Sequence, residues 1–193
     1  MQKEDIETFC PASQEDWRNW LKEHHDSKQS VWLIYYKKRF NIPTITYSDA
    51  VDEALCFGWI DSTRKSLDEE RFTQFFCKRK PNSVWSKVNK EKVQQLMEKG
   101  LMTKAGLNRI ETAKLNGSWI ILDEVEALKI PEDLTKSLEA NQIANAYFLS
   151  LSKSVRKSIL QWLVLAKRPE TREKRIAEIV GLAAQHLKPK QFS

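Results

Sequence analysis

The chain is poor in the residues from which compact chemical signatures are built. Its 193 residues include only five glycines, three cysteines and three histidines. The glycines (58, 100, 106, 117, 181) fall into neither GxGxxG nor GxxxxGK[ST], so no loop cradles phosphates through close backbone approach. There is no GxSxG, which removes the strained nucleophile turn of the hydrolases. Cys10, Cys56 and Cys77 are too few, and odd in number, for a disulfide framework, and suit a reducing compartment. His24-His25-Asp26 is the one histidine cluster. Neighbours on a helix point about 100° apart and do not chelate, so neither a metal nor a cofactor is expected. No apolar run approaches the roughly 20 residues a bilayer span needs. The opening stretch MQKEDIETFCPAS has no apolar export core, so a cytoplasmic location is expected.

A hydrophobic content of 41% supports a real core. The net charge of +6 is unevenly spread. From Lys153 onward ten Lys/Arg face three acids, a local excess of +7. That excess reads as a solvated helix surface, with an anionic partner such as nucleic acid as the alternative.

Periodicity predicts an α+β fold, predominantly helical, with a small three-stranded antiparallel sheet in the N-terminal half. Ser13 caps a helix to about His24, with Trp17, Trp20 and Leu21 inward. Val31–Lys38 is a β-branched and aromatic strand. Ser48 or Asp49 caps a helix ending near Gly58. Trp59–Ser66 and Arg71–Arg79 flank the polar turn 67–70 as a hairpin. Helices follow over 87–99, from Thr103 to Gly117, and near 132–150, 153–167 and 170–186, with a capping box at Asp123/Glu126. Residues 1–120 form the α+β region and 121–193 a basic helical region, packed with it as one domain.

Chemistry concentrates between Ala54 and Asn89, which holds two of seven tryptophans, four of eight phenylalanines and two of three cysteines. Strand alternation puts Trp59, Asp61 and Thr63 on one face, and Ile60, Ser62 and Arg64 on the other. Asp61 is placed to pair with Arg64, Lys65, Arg79 or Lys80. Ser83-Val84-Trp85-Ser86 opens a helix whose N-terminus, with Lys87 and Lys90, attracts anions. Cys77 sits beside Lys78, Arg79 and Lys80, which favour its thiolate. The candidate binding residues are therefore Trp59, Asp61, Arg64, Arg79, Lys80, Trp85, Ser86 and Asn89, with an anionic small molecule or protein as partner. No catalytic residue is assigned. An enzyme built around Asp61 and a nucleic-acid-associated protein using the C-terminal helices stay open as alternatives.

CFGWIDSTRK, FxxKRKPxSxWSKVN and the 100–106 stretch resemble the bacterial YdeI/OmpD-associated family, also called bacteriocin-protection proteins. YFLSLSKSVRKSILQWLVLAKRPETREKRIAEIV resembles its second signature. Cys77-Lys78 stands where that family usually has Thr-Pro. The resemblance implies no catalytic mechanism. Its label implies defence against antimicrobial peptides and association with an outer-membrane porin. A positively charged chain repels cationic peptides, so the expected protein is instead a small intracellular binding or stress-associated one.

Overall fold

A computed structural model describes residues 6–192. The chain divides into two compact units, Met1–Trp119 and Ile120–Ser193.

The first unit lays helices on one face of a sheet. Its strands are β1 (Thr8–Phe9), β2 (Ser30–Tyr36), β3 (Trp59–Ser66) and β4 (Arg71–Lys78), in the order β1-β2-β4-β3. Four strands replace the three expected, and the sheet is mixed, because β1 runs parallel to β2. A two-residue strand carries no alternation to read. What fixes β1 is tertiary: Phe9 packs against Trp17 and Trp20. Helix α1 (Gln14–His24) begins with a reciprocal cap, Ser13 Oγ accepting from Asp16 N while the Asp16 carboxylate accepts from Ser13 N. Helix α2 (Tyr47–Cys56) is capped by Thr46, not by Ser48 or Asp49. The Thr46 hydroxyl accepts from Asp49 N and donates to the Asp49 carboxylate, so Asp49 completes the cap from inside the helix. Trp17, Leu33, Phe76 and Trp59 are buried between helices and sheet.

Helices α3 (Lys87–Glu98) and α4 (Lys104–Leu115) complete the unit, capped by Ser86 and Thr103. Helix α4 crosses the end of α2 at a glycine. A Cβ on Gly106 would fall 2.3 Å from the Cys56 carbonyl oxygen. That oxygen also accepts from Thr103 Oγ1 at 2.7 Å, locking the crossing.

The register of β3 against β4 changes midway. Asp61 lies opposite Phe76, but Arg64 lies opposite Gln74, so β3 carries one extra residue between them. Such a bulge resets the alternation of side chains. Gln74 and Phe76 share the helix-covered face with Leu33 and Val31, their partners on β2. Arg64 therefore joins Asp61 on that face, opposite to the side that strict alternation assigns it. Gln74 holds the bulge, its side-chain amide donating to the Ser62 carbonyl.

The second unit is helical: α5 (Asp123–Glu126), α6 (Glu132–Glu139), α7 (Gln142–Ser150), α8 (Lys153–Val164) and α9 (Pro169–Ala183). The expected helix over 132–150 is two helices, broken at Asn141, whose side chain caps α7 by accepting from Ala144 N. Asn in a polar stretch is a weak stop signal beside Gly or Pro, which the segment lacks. No side chain caps α5, so the expected box at Asp123/Glu126 is not formed. Leu134, Leu138, Phe148, Ile159, Leu163 and Ile179 are buried. Three residues of the local basic excess tie helices together. Lys157 pairs with Glu126 and Arg172 with Asp133, while Arg175 donates to the Trp162 carbonyl and lies over its ring.

Candidate functional site

Beyond β2 the chain makes a turn of 3-10 helix at Lys38–Phe40, passes through Asn41 with φ 51°, and returns through Pro43 to the Thr46 cap. This loop and the neighbouring end of the sheet enclose a cavity of about 930 Å³. Its walls include Tyr35, Lys38, Thr44, Tyr47, Arg64 and Phe72. Tyr35 and Phe72 stack almost parallel, 4° apart, with centroids 4.9 Å apart. The Arg64 guanidinium lies 3.8 Å from the Phe72 centroid and continues the stack. The bulge makes this column possible, because it turns Arg64 toward Phe72.

Two hydroxyls in this wall lack partners among the described residues. Tyr35 is 1% exposed, and its hydroxyl finds no hydrogen bond. The Thr44 hydroxyl is likewise unmet. Nearby, Asp61 accepts from the Tyr47 hydroxyl at 2.6 Å and from the Gln74 amide at 3.3 Å. Burial, then the Asp61 hydrogen bond and charge, hold the Tyr47 proton well above the usual phenol range. Burial does the same for Tyr35, aided by Tyr47 and Asp61. Both phenols are therefore neutral at physiological pH. They can donate hydrogen bonds but cannot act there as phenolate bases or nucleophiles.

Residues 9–109, more than half of the chain, match the family model described as Domain of unknown function (DUF8412). The chain belongs to this family. Residues 127–186 match the model described as Bacteriocin-protection, YdeI or OmpD-Associated, the family that the C-terminal signature resembles. No curated protein and no solved structure matches. The Arg64 cavity and all eight candidate residues from Trp59 to Asn89 fall inside the DUF8412 match, and none inside the YdeI/OmpD-associated one.

Within the DUF8412 region the eight candidates separate. Asp61 and Arg64 belong to the cavity end just described. Trp59 is 1% exposed, edge-on to Trp20, and its indole donates to the His25 carbonyl. Arg79 is 3% exposed, with its guanidinium 3.7 Å from the Trp85 centroid. It donates to the Val84 carbonyl at 2.9 Å, while its Nε and the Trp85 indole nitrogen find no partner among the described residues. Burial without a carboxylate in contact brings the Arg79 guanidinium down to about 10, against a counter-pull from the Asp61 charge. No Asp61–Arg79 or Asp61–Arg64 ion pair forms among the described residues, so the expected pairing is corrected. Tyr47 and Gln74 hold Asp61 instead. Ser86 caps α3 by accepting from Asn89 N, which gives these two candidates a backbone role. Lys80 is exposed.

The thiolate expected at Cys77 is also corrected. Burial pushes its thiol up, and this outweighs the opposing pull of Lys80 and Arg79. Cys56 is pushed up to about 11, again chiefly by burial. Among the described residues no three His, Cys, Asp or Glu side chains converge as a metal site, and no helix is long and apolar enough to cross a membrane.

Sequence reasoning missed Tyr35, Lys38, Thr44 and Tyr47. The run KKRFNIPTITYS reads as a strand end and a turn. The available signal was its density of hydroxyls and cations next to a proline-bearing loop.

Proposed function

We propose that the DUF8412 region is an intracellular binding module for a small anionic molecule, seated in the Arg64 cavity. The observation that carries this reading is the Tyr35 hydroxyl. A buried hydroxyl without a partner costs roughly 1–3 kcal/mol, and Tyr35 borders a cavity of ligand size. A ligand oxygen that accepts from Tyr35 and Thr44 removes that cost. Stacking on Phe72 holds the Arg64 guanidinium in one plane and leaves its N–H edge for a carboxylate or phosphate. Lys38, exposed beside the cavity, adds positive charge, whereas Lys37 is engaged with the Asp68 and Glu69 carbonyls. Three free thiols, Cys10, Cys56 and Cys77, agree with a reducing compartment.

The test is a thermal-shift screen of sugar phosphates, nucleotides and small carboxylates against the full chain and Arg64→Gln. A saturable rise in melting temperature is expected, with affinity at least about tenfold weaker in Arg64→Gln and an unchanged unliganded melt. The reading fails if no anion stabilises the protein, or if Arg64→Gln binds as tightly as the parent.

A further inference from the structure

A second cavity, of about 320 Å³, lies at the opposite end of the β3–β4 pair. It is walled by the end of α1, the start of β3, the end of β4 and one face of α4, through His25, Gly58, Lys78, Asn108, Arg109 and Thr112. Its side chains are mostly hydrogen-bond donors. Lys78 Nζ donates to the Asp26 carbonyl at 2.7 Å, which anchors the ammonium at the rim. The Asp26 carboxylate also borders the cavity, but at 92% side-chain exposure it projects into solvent, 3.4 Å from His25 Nε2. The His25 Nδ1–H donates to the Leu21 carbonyl, which fixes the ring.

Arg109 is the unexplained member. It is half-buried and lines the cavity, yet its guanidinium meets no carboxylate, carbonyl or aromatic ring among the described residues. The backbone is shaped to admit it. Gly58 has φ +72°, and a Cβ there would fall 2.7 Å from Arg109 Cγ and 3.0 Å from the Ala105 carbonyl oxygen. Only glycine lets the arginine stem lie across this corner. A fork of N–H donors, an ammonium and an amide around one small polar space match the surface of a tetrahedral oxyanion.

We infer that this cavity is a second binding site, specific for a phosphate-sized oxyanion held by Arg109 and Lys78 with Asn108, while Thr112, whose hydroxyl donates to the Asn108 carbonyl, forms its wall. The anion is either a free ion or the terminal group of a phosphomonoester. This site is independent of the Arg64 cavity and stands whatever that cavity holds.

The test is titration of the full chain with inorganic phosphate, followed by calorimetry and by thermal shift, at ionic strength held constant with potassium chloride. Saturable binding is expected, weakened at least about tenfold in Arg109→Gln and retained in Arg64→Gln. Thr112→Glu puts a carboxylate into the same space and abolishes binding, which covers the case in which Arg109→Gln does not fold. A parallel titration with glycerol 3-phosphate separates the sources: tighter binding of the ester assigns the site to a terminal phosphate, and tighter binding of the free ion to inorganic phosphate. The inference is overturned if chloride alone reproduces the effect, if neither phosphate source binds, if Thr112→Glu binds normally, or if Arg64→Gln removes binding.

Discussion

Arg64 and Arg79 lie on one short hairpin and stack on aromatic rings at almost equal distances, 3.8 and 3.7 Å. One is exposed at the mouth of a cavity, and the other is 3% exposed among tryptophans. The same contact therefore does different work in the two regions. At Phe72 stacking orients a cation that stays open to solvent. At Trp85 it replaces the water that a buried cation has lost. Residue type and spacing do not separate these roles; solvent access does.

The comparison breaks most sharply by truncation. Arg79→Ala should cost about 3–4 kcal/mol in urea unfolding, because it strips the cover from Trp85 and leaves a void. Arg64→Ala should change stability by less than about 1 kcal/mol, since its removal leaves only a shallow surface. Equal losses at both sites would make Arg64 structural and sink the binding reading. Arg79→Met, which keeps the bulk without the charge, should recover most of the stability lost in Arg79→Ala. If it does not, the buried charge itself is required.

Ser86→Ala should cost about 1 kcal/mol through loss of the α3 cap, and should leave anion binding at either cavity unchanged. An altered binding isotherm would return Ser86 to the site. Tyr35→Phe should be neutral or stabilise the unliganded protein by up to about 1 kcal/mol, because it deletes a hydroxyl with no partner, yet it should weaken the ligand of the Arg64 cavity. A clear destabilisation would mean that the hydroxyl is satisfied within the empty fold.

The smallest effect is one of pH. Folding raises the proton affinity of Tyr35 and Tyr47 above the ordinary phenol value of 10.0. The folded state then binds more protons than the unfolded one, so their contribution is complete below pH 10 and is lost as pH rises beyond it. Urea melts at pH 9 and 11 should show this fall. Tyr47→Phe should reduce it, and an unchanged slope would detach Tyr47 from Asp61.

Much of the architecture is legible because caps and periodicity speak locally. Ser13, Ser86, Thr103 and Ser152 each accept the hydrogen bond that opens a helix, and Pro169 begins α9. What escapes reading is decided by partners distant in sequence. The two-residue β1 depends on Trp17 and Trp20, and the place of Arg64 depends on Gln74 holding a bulge. At the site, the sequence locates the right hairpin but joins Asp61 and Arg64 to Arg79 and Trp85, which pack as interior. Tyr35 and Thr44 look like ordinary strand and turn residues, because an unmet hydroxyl becomes visible only once its neighbours are placed.

The extra residue in β3 also has a genetic consequence. Loss of one codon, at Ser62 or Thr63, would remove the bulge and restore strict alternation, with Arg64 now two places from Asp61 and still opposite Gln74 on the helix-covered face. The fold would survive such an event with its core intact and its cation still on the side of Phe72. Chains of equal length here keep the Arg64 column only through the bulge, whereas those with a one-residue gap would keep it by plain alternation.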